Sequence, residues 1–194
     1  MPVARTGPAA ILRGLLFVAL AWANGAADAD EALWNQLRAG GLVVFIRHAD
    51  TDPGAGDPPG FRLDDCKTQR NLNAAGREQA RRLGAAFKRE RVPVEQVLSS
   101  EWCRCRDTAA LAFDRYEPWA ALNNLFGRSQ NEPAQKRAML ERAGAHRGKG
   151  NLVLITHGAT IYPVAGVNPG TGELVVMRPA GAGRLEPVGR LRPD

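Results

Sequence analysis

The chain has 194 residues, 44% of them hydrophobic and 24% charged, with a formal net charge of +6. That is material for one domain of ordinary size with a real core, and it excludes a disordered chain. The basic residues are scattered and mostly alternate with Asp and Glu, and no aromatic-plus-basic strip for stacking bases is present. The charge therefore reads as a solvated surface, and nucleic acid is not an expected partner.

The first residues read as an export signal. Arg5 and Arg13 precede the first acid, Asp28, and "GLLFVALAWA", Gly14 to Ala23, is a short apolar core. "AWA" places cleavage after Ala23, and "ADA", Ala27 to Ala29, offers a second position. The run is short for a membrane span, so the alternative, an uncleaved anchor, is disfavoured and no stable membrane insertion is expected. Residues 1–23 are thus expected to lie outside a single domain spanning 24–194, in a periplasmic or secreted protein.

The next signal is "LVVFI", Leu42 to Ile46, a continuous apolar run that suits a strand covered on both faces. It ends in Arg47-His48. "DTDPGAGDPPGF" must then be loop. In "NLNAAGREQARRLGAAFKRE", Leu72, Gly76, Ala80, Leu83 and Phe87 recur at helical spacing, with Asn73 placed to cap. Val94 to Ser100 reads as a second strand. "EWCRCRDTAALAF" reads as a helix, capped by Ser100. A further helix is expected from Glu132 to Ala145, with Pro133 in its first turn. Asn151 to Thr156 is a third buried strand, followed by His157 and Gly158. "GELVVMRP" and "GRLEPVGRL" read as a closing pair of strands joined by "AGAG". This order predicts an α/β fold, a three-layer αβα sandwich with a mostly parallel sheet and antiparallel C-terminal edge strands.

Three cysteines are present, Cys66, Cys103 and Cys105. In an exported chain they allow one disulfide and one thiol. Cys103 and Cys105 are awkward partners for each other. A bridge from Cys66 to one of them is expected. Cys105 shares a helical stripe with Thr108, Ala109 and Ala112, which suggests burial and favours Cys103 as the partner.

Ligands of such sheets bind beyond the carboxyl ends of strands. Three strand ends supply Arg47 and His48, then Ser99, Ser100 and Arg104, then Thr156 and His157. Two guanidiniums and two imidazoles share a pocket stably only around an anion, or with the histidines largely neutral. Arginine forks suit phosphate oxygens, and a neutral imidazole is a nucleophile toward phosphorus.

These motifs together resemble the histidine phosphatase superfamily. "RHA" stands where the family commonly has Arg-His-Gly, "SSEWCRCRDTA" is similar to its serine-pair motif, and "LVLITHG" to its strand ending in His-Gly. "GREQARRLG" resembles the helix after its first loop. The resemblance implies that His48 attacks phosphorus and becomes a phosphohistidine, that Arg47 and Arg104 grip the phosphoryl oxygens, and that His157 completes the pocket. It implies no metal and no cofactor. It also implies a general acid, for which Asp50 and Glu117 are the candidates, since Asn123 and Asn124 occupy the region where a Glu is expected. His146, Trp102, Trp119, Asn168 and Gly170 read as structural; Arg70 could reach substrate, but reads more as a solvated loop residue. The expected function is a phosphomonoesterase acting on a small-molecule or envelope phosphate ester. The alternative is a non-catalytic phosphate- or anion-binding protein with a degenerate pocket.

Overall fold

The computed structural model describes residues 29–181 and 183–193; the expected export segment, residues 1–23, therefore lies outside the described residues. A first helix, α1, covers residues 29–39. Then follow β1 (Val43–Arg47), α2 (Ala74–Arg89), β2 (Val94–Ser99), α3 (Cys103–Phe113), β3 (Glu117–Pro118), α4 (Glu132–Gly144), β4 (Asn151–Thr156), α5 (Gly158–Ala165), β5 (Leu174–Pro179) and β6 (Leu185–Leu191).

The strands form one sheet in the order β3-β2-β4-β1-β5-β6. β1, β2, β3 and β4 pair in parallel, while β5 and β6 run antiparallel. β4 is buried at every residue and β1 at all but its last, which is why both read as unbroken apolar runs. Side chains alternate between two cores. Val44, Ile46, Val153, Ile155 and Val176 pack toward Leu37, Leu83, Phe87 and Cys105, from α1, α2 and α3. Val43, Phe45, Leu152, Leu154 and Val175 pack toward Met139 of α4 and Ile161 of α5. The result is the three-layer α/β sandwich expected from the sequence.

Asn73 caps α2, its side chain accepting from the Gly76 N–H at 2.7 Å. Ser100 does not cap α3. The N-cap is Trp102, without a side-chain cap hydrogen bond, and the Ser100 hydroxyl is turned to other partners. Helix α5, β3 and the first helix were not expected. "GATIYPVA" is mostly apolar and carries Pro163 inside the helix, so it presents neither amphipathic periodicity nor an uninterrupted helical run. The disulfide joins Cys66 and Cys103, and Cys105 is a buried free thiol.

Candidate active site

The register of the two central strands builds the site. Arg47 of β1 lies opposite Thr156 of β4, so the next residues, His48 and His157, leave neighbouring strand ends side by side. The His48 N–H donates to the Thr156 carbonyl at 2.9 Å, and the two imidazole centroids are 5.3 Å apart. Two close approaches make this possible. A Cβ on Gly76 would stand 1.9 Å from the Asp50 carbonyl, and one on Gly158 would stand 2.2 Å from Asn168 Oδ1. Ala49 is fully buried and packs with Leu72 and Ala80, so its methyl is accommodated without crowding the site.

His48 Nδ1 lies 2.8 Å from the Ala49 carbonyl. A carbonyl can only accept, so Nδ1 carries the proton and Nε2 keeps its lone pair. Burial first, then the charges of Arg104, Arg47 and Arg70, push the His48 pKa down to about 3, although the Ala49 carbonyl opposes this. His157 is likewise held well below its ordinary value, by burial, then by His48 and the arginines. Its Nε2 lies 3.0 Å from Ser100 Oγ and 3.4 Å from Cys105 Sγ. Burial raises the Cys105 thiol to about 12, so it stays neutral.

Both histidines line a cavity of about 560 Å³ together with Arg47, Arg70, Arg104, Asn124, Phe126, Ser129, Glu132, Tyr162 and Asn168. Arg47 donates from Nη1 to the Pro169 carbonyl at 2.9 Å. Arg70 donates to the Gly54 carbonyl at 2.7 Å. Arg104 is 1% exposed and forms a two-point ion pair with Asp57, Nη1 to Oδ1 at 2.7 Å and Nη2 to Oδ2 at 3.2 Å. Asp57 also accepts from the Trp102 indole N–H and the Arg70 backbone N–H. Arg47 Nε, Arg70 Nε, Arg104 Nε and His157 Nδ1 are buried with no partner. Burial lowers the pKa of Arg47 and Arg70, and the neighbouring Arg104 adds to this, while Asp50 opposes it at Arg47 and Asp57 at Arg70. The wall is thus electropositive and rich in unused donors, a setting that favours an anion.

Of the residues predicted from sequence, Arg47, His48, Arg104 and His157 converge on this cavity. Asp50 does not line it. Its carboxylate accepts from the Thr171 hydroxyl, and its N–H donates to Gln79 Oε1, which ties the end of β1 to α2 and to the loop before β5. Glu117 lies on β3, exposed, against Gln96. Arg70, read as a solvated loop residue, is a wall residue instead, and Asn168 lines the cavity too. Trp102 packs edge-on against His157 at 5.6 Å while holding Asp57. Sequence reading missed Asp57 and Glu132. Neither sits in a motif; Asp57 belongs to the Gly/Pro-rich loop and Glu132 opens α4.

The fold and wall define a class: an α/β protein with paired histidines and arginines at the carboxyl edge of its sheet. A model of the histidine phosphatase superfamily (branch 1) matches residues 43–138, the segment that carries Arg47, His48 and Arg104. This match supports phosphatase chemistry. Among curated proteins, none matches the chain. Solved structures share the fold. The protein histidine phosphatase SixA, complexed with tungstate, is 18% identical, with a TM-score of 0.51 over 78% of this chain and 97% of its own. A provisionally assigned phosphohistidine phosphatase SixA from Agrobacterium tumefaciens is 24% identical, with a TM-score of 0.53 over 79% and 98%. Phosphoserine phosphatase from Entamoeba histolytica, in complex with 3-phosphoglyceric acid, is 14% identical, with a TM-score of 0.54 over 74% and 94%.

Proposed function

We propose that the chain is a member of the histidine phosphatase superfamily and a phosphomonoesterase that works through a phosphohistidine on His48. The observation that carries this reading is the convergence of Arg47, Arg70, Arg104 and His157, each with a buried nitrogen that lacks a partner, on the cavity that a neutral His48 also lines. Such donors are costly unless an anion meets them. A phosphoryl group does so, and the same donors hold its oxygens as charge redistributes in the transition state.

His48 Nε2 attacks phosphorus, the ester P–O bond breaks, and the leaving oxygen takes a proton. Glu132 is the carboxyl group among the cavity-lining side chains and fits the role of donor. It then takes a proton from water, which attacks the phosphohistidine. The P–N bond breaks, inorganic phosphate leaves, and the Nε2 lone pair is restored. His157 meets a phosphoryl oxygen through Nδ1, its ring nitrogen without a partner, and donates its proton there.

The test is turnover of a nitrophenyl phosphate by the protein and by His48→Ala, with and without chelator. Chelator-resistant turnover absent from the variant, with an acid-labile phosphoryl adduct on His48, is the expected result. A wild-type protein that releases no phosphate from aryl or alkyl esters would falsify it. One observation favours the second reading, a phosphate-binding protein without turnover: Asp57 already occupies both terminal nitrogens of Arg104. Under that reading inorganic phosphate binds and no adduct forms. Export belongs to the same proposal, supported by the N-terminal pattern and by the Cys66–Cys103 bridge, and cell fractionation tests it.

A further inference from the structure

Large apolar side chains are mostly withdrawn from water in this protein. Among the described residues, the exposed large hydrophobics are Phe126, at 56%, and Tyr162, at 60%. A scattered exposed apolar residue needs no explanation. These two are not scattered, because both line the cavity that holds His48 and His157.

The backbone beneath both rings is held by one element. Helix α5 starts directly after His157 and carries Tyr162. On the same helix, the Thr160 hydroxyl donates to the Asn123 carbonyl at 2.9 Å and receives the Leu125 N–H at 3.3 Å. The Phe126 N–H is fixed to Asn124 Oδ1 at 3.1 Å. The Phe126 ring lies against Gly56, where even an added methyl carbon would come within 3.3 Å of Cε1. Phe126 and Tyr162 are thus exposed side chains on anchored backbone. Their exposure leaves apolar area unburied, and a flat ligand group that enters the cavity covers it.

Resting on the phosphomonoesterase reading, we infer that Phe126 and Tyr162 are specificity-determining residues, and that the substrate is a phosphomonoester whose leaving alcohol carries a flat, weakly polar ring. The arginines hold the phosphoryl group at His48, and the ring of the alcohol packs on the two aromatic side chains. Aromatic packing of this kind contributes beyond the area it buries.

2-Phenylethyl phosphate and ethyl phosphate provide the test, since both leave as simple alkoxides and differ in the ring. The wild-type kcat/KM for the phenylethyl ester is expected to exceed that for the ethyl ester by about 10- to 100-fold. In Phe126→Ala/Tyr162→Ala the ratio should fall to within about threefold of unity. Circular dichroism and the ethyl phosphate rate check that this variant is folded. Equal wild-type rates on the two esters, or a ratio that survives the double substitution, overturn the inference while leaving the phosphatase reading intact. Absence of phosphate release from both esters and from the nitrophenyl ester overturns the phosphatase reading itself.

Discussion

Asp57 closes both terminal nitrogens of Arg104 in an ion pair whose side chains are 2% and 1% exposed. The pair joins the Gly/Pro-rich loop after β1 to the first turn of α3. Nη1 spends its second N–H on the Arg70 carbonyl, so Nε–H and the second Nη2–H are the donors that Arg104 keeps without breaking the pair. Removing one partner of such a pair strands a charge away from water. Asp57→Ala should therefore cost about 3–5 kcal/mol in urea unfolding. Asp57→Ala/Arg104→Met should cost clearly less than the sum of the two single changes. Additive costs would show that the pair is not coupled as the geometry requires.

Acid should unfold the protein early. A histidine in the unfolded chain titrates near ~6.5, whereas folded His48 titrates at about 3 and folded His157 well below its ordinary value. Between those values the unfolded chain takes up protons that the folded chain refuses, so stability falls as pH falls, by about 1.4 kcal/mol per pH unit per histidine. At Asp57, burial raises the carboxyl pKa, but the Arg104 hydrogen bonds and charge outweigh it and hold it below the ordinary value. That contribution is present above ~3.9 and is lost as pH falls through the folded value. Unfolding free energy in phosphate-free buffer should drop by about 3 kcal/mol from pH 7.5 to 5.5. His48→Ala should flatten about half of that slope; an unchanged slope would remove His48 as its source.

The disulfide supports the same loop from its other end. Cys66 and Cys103 are 37 residues apart, and Cys103 immediately precedes Arg104. Closing a loop of that length restricts the unfolded chain by about 4 kcal/mol. Cys66→Ser should lower stability by up to that amount. Cys105, buried and neutral, should resist alkylation in the native protein at pH 8 and react once it is unfolded; rapid native-state alkylation would place it nearer the surface than it is.

The layered fold was legible because its signals are local. "LVVFI" and "NLVLIT" are buried strands whose apolar runs announce themselves, and parallel pairing in register brings Arg47-His48 beside Thr156-His157. What was illegible depends on chain segments meeting across space. Arg70 and Asp57 come from the segment between β1 and α2, whose course is set by Arg104, Trp102 and the disulfide. Asp50 is near His48 in sequence, yet Gln79 and Thr171 hold it outside the cavity wall. Glu132, Phe126 and Tyr162 reach the cavity from segments with no motif, and two of them are placed by α5 and its Thr160 contacts.

Under the proposed phosphatase reading the proton donor is Glu132 and not Asp50, and leaving-group dependence separates the two. A nitrophenolate departs readily without a proton, whereas an alkoxide does not. Glu132→Gln keeps the shape of the side chain and removes its acid. It should lower kcat/KM for ethyl phosphate by about 10²- to 10⁴-fold and leave nitrophenyl phosphate turnover within a few-fold of wild type. Asp50→Asn should affect both esters alike, through the Thr171 contact, and modestly. The reverse pattern, with Asp50→Asn selectively impairing the alkyl ester, would return the acid role to Asp50. It would also require the loop around Thr171 to rearrange when substrate binds.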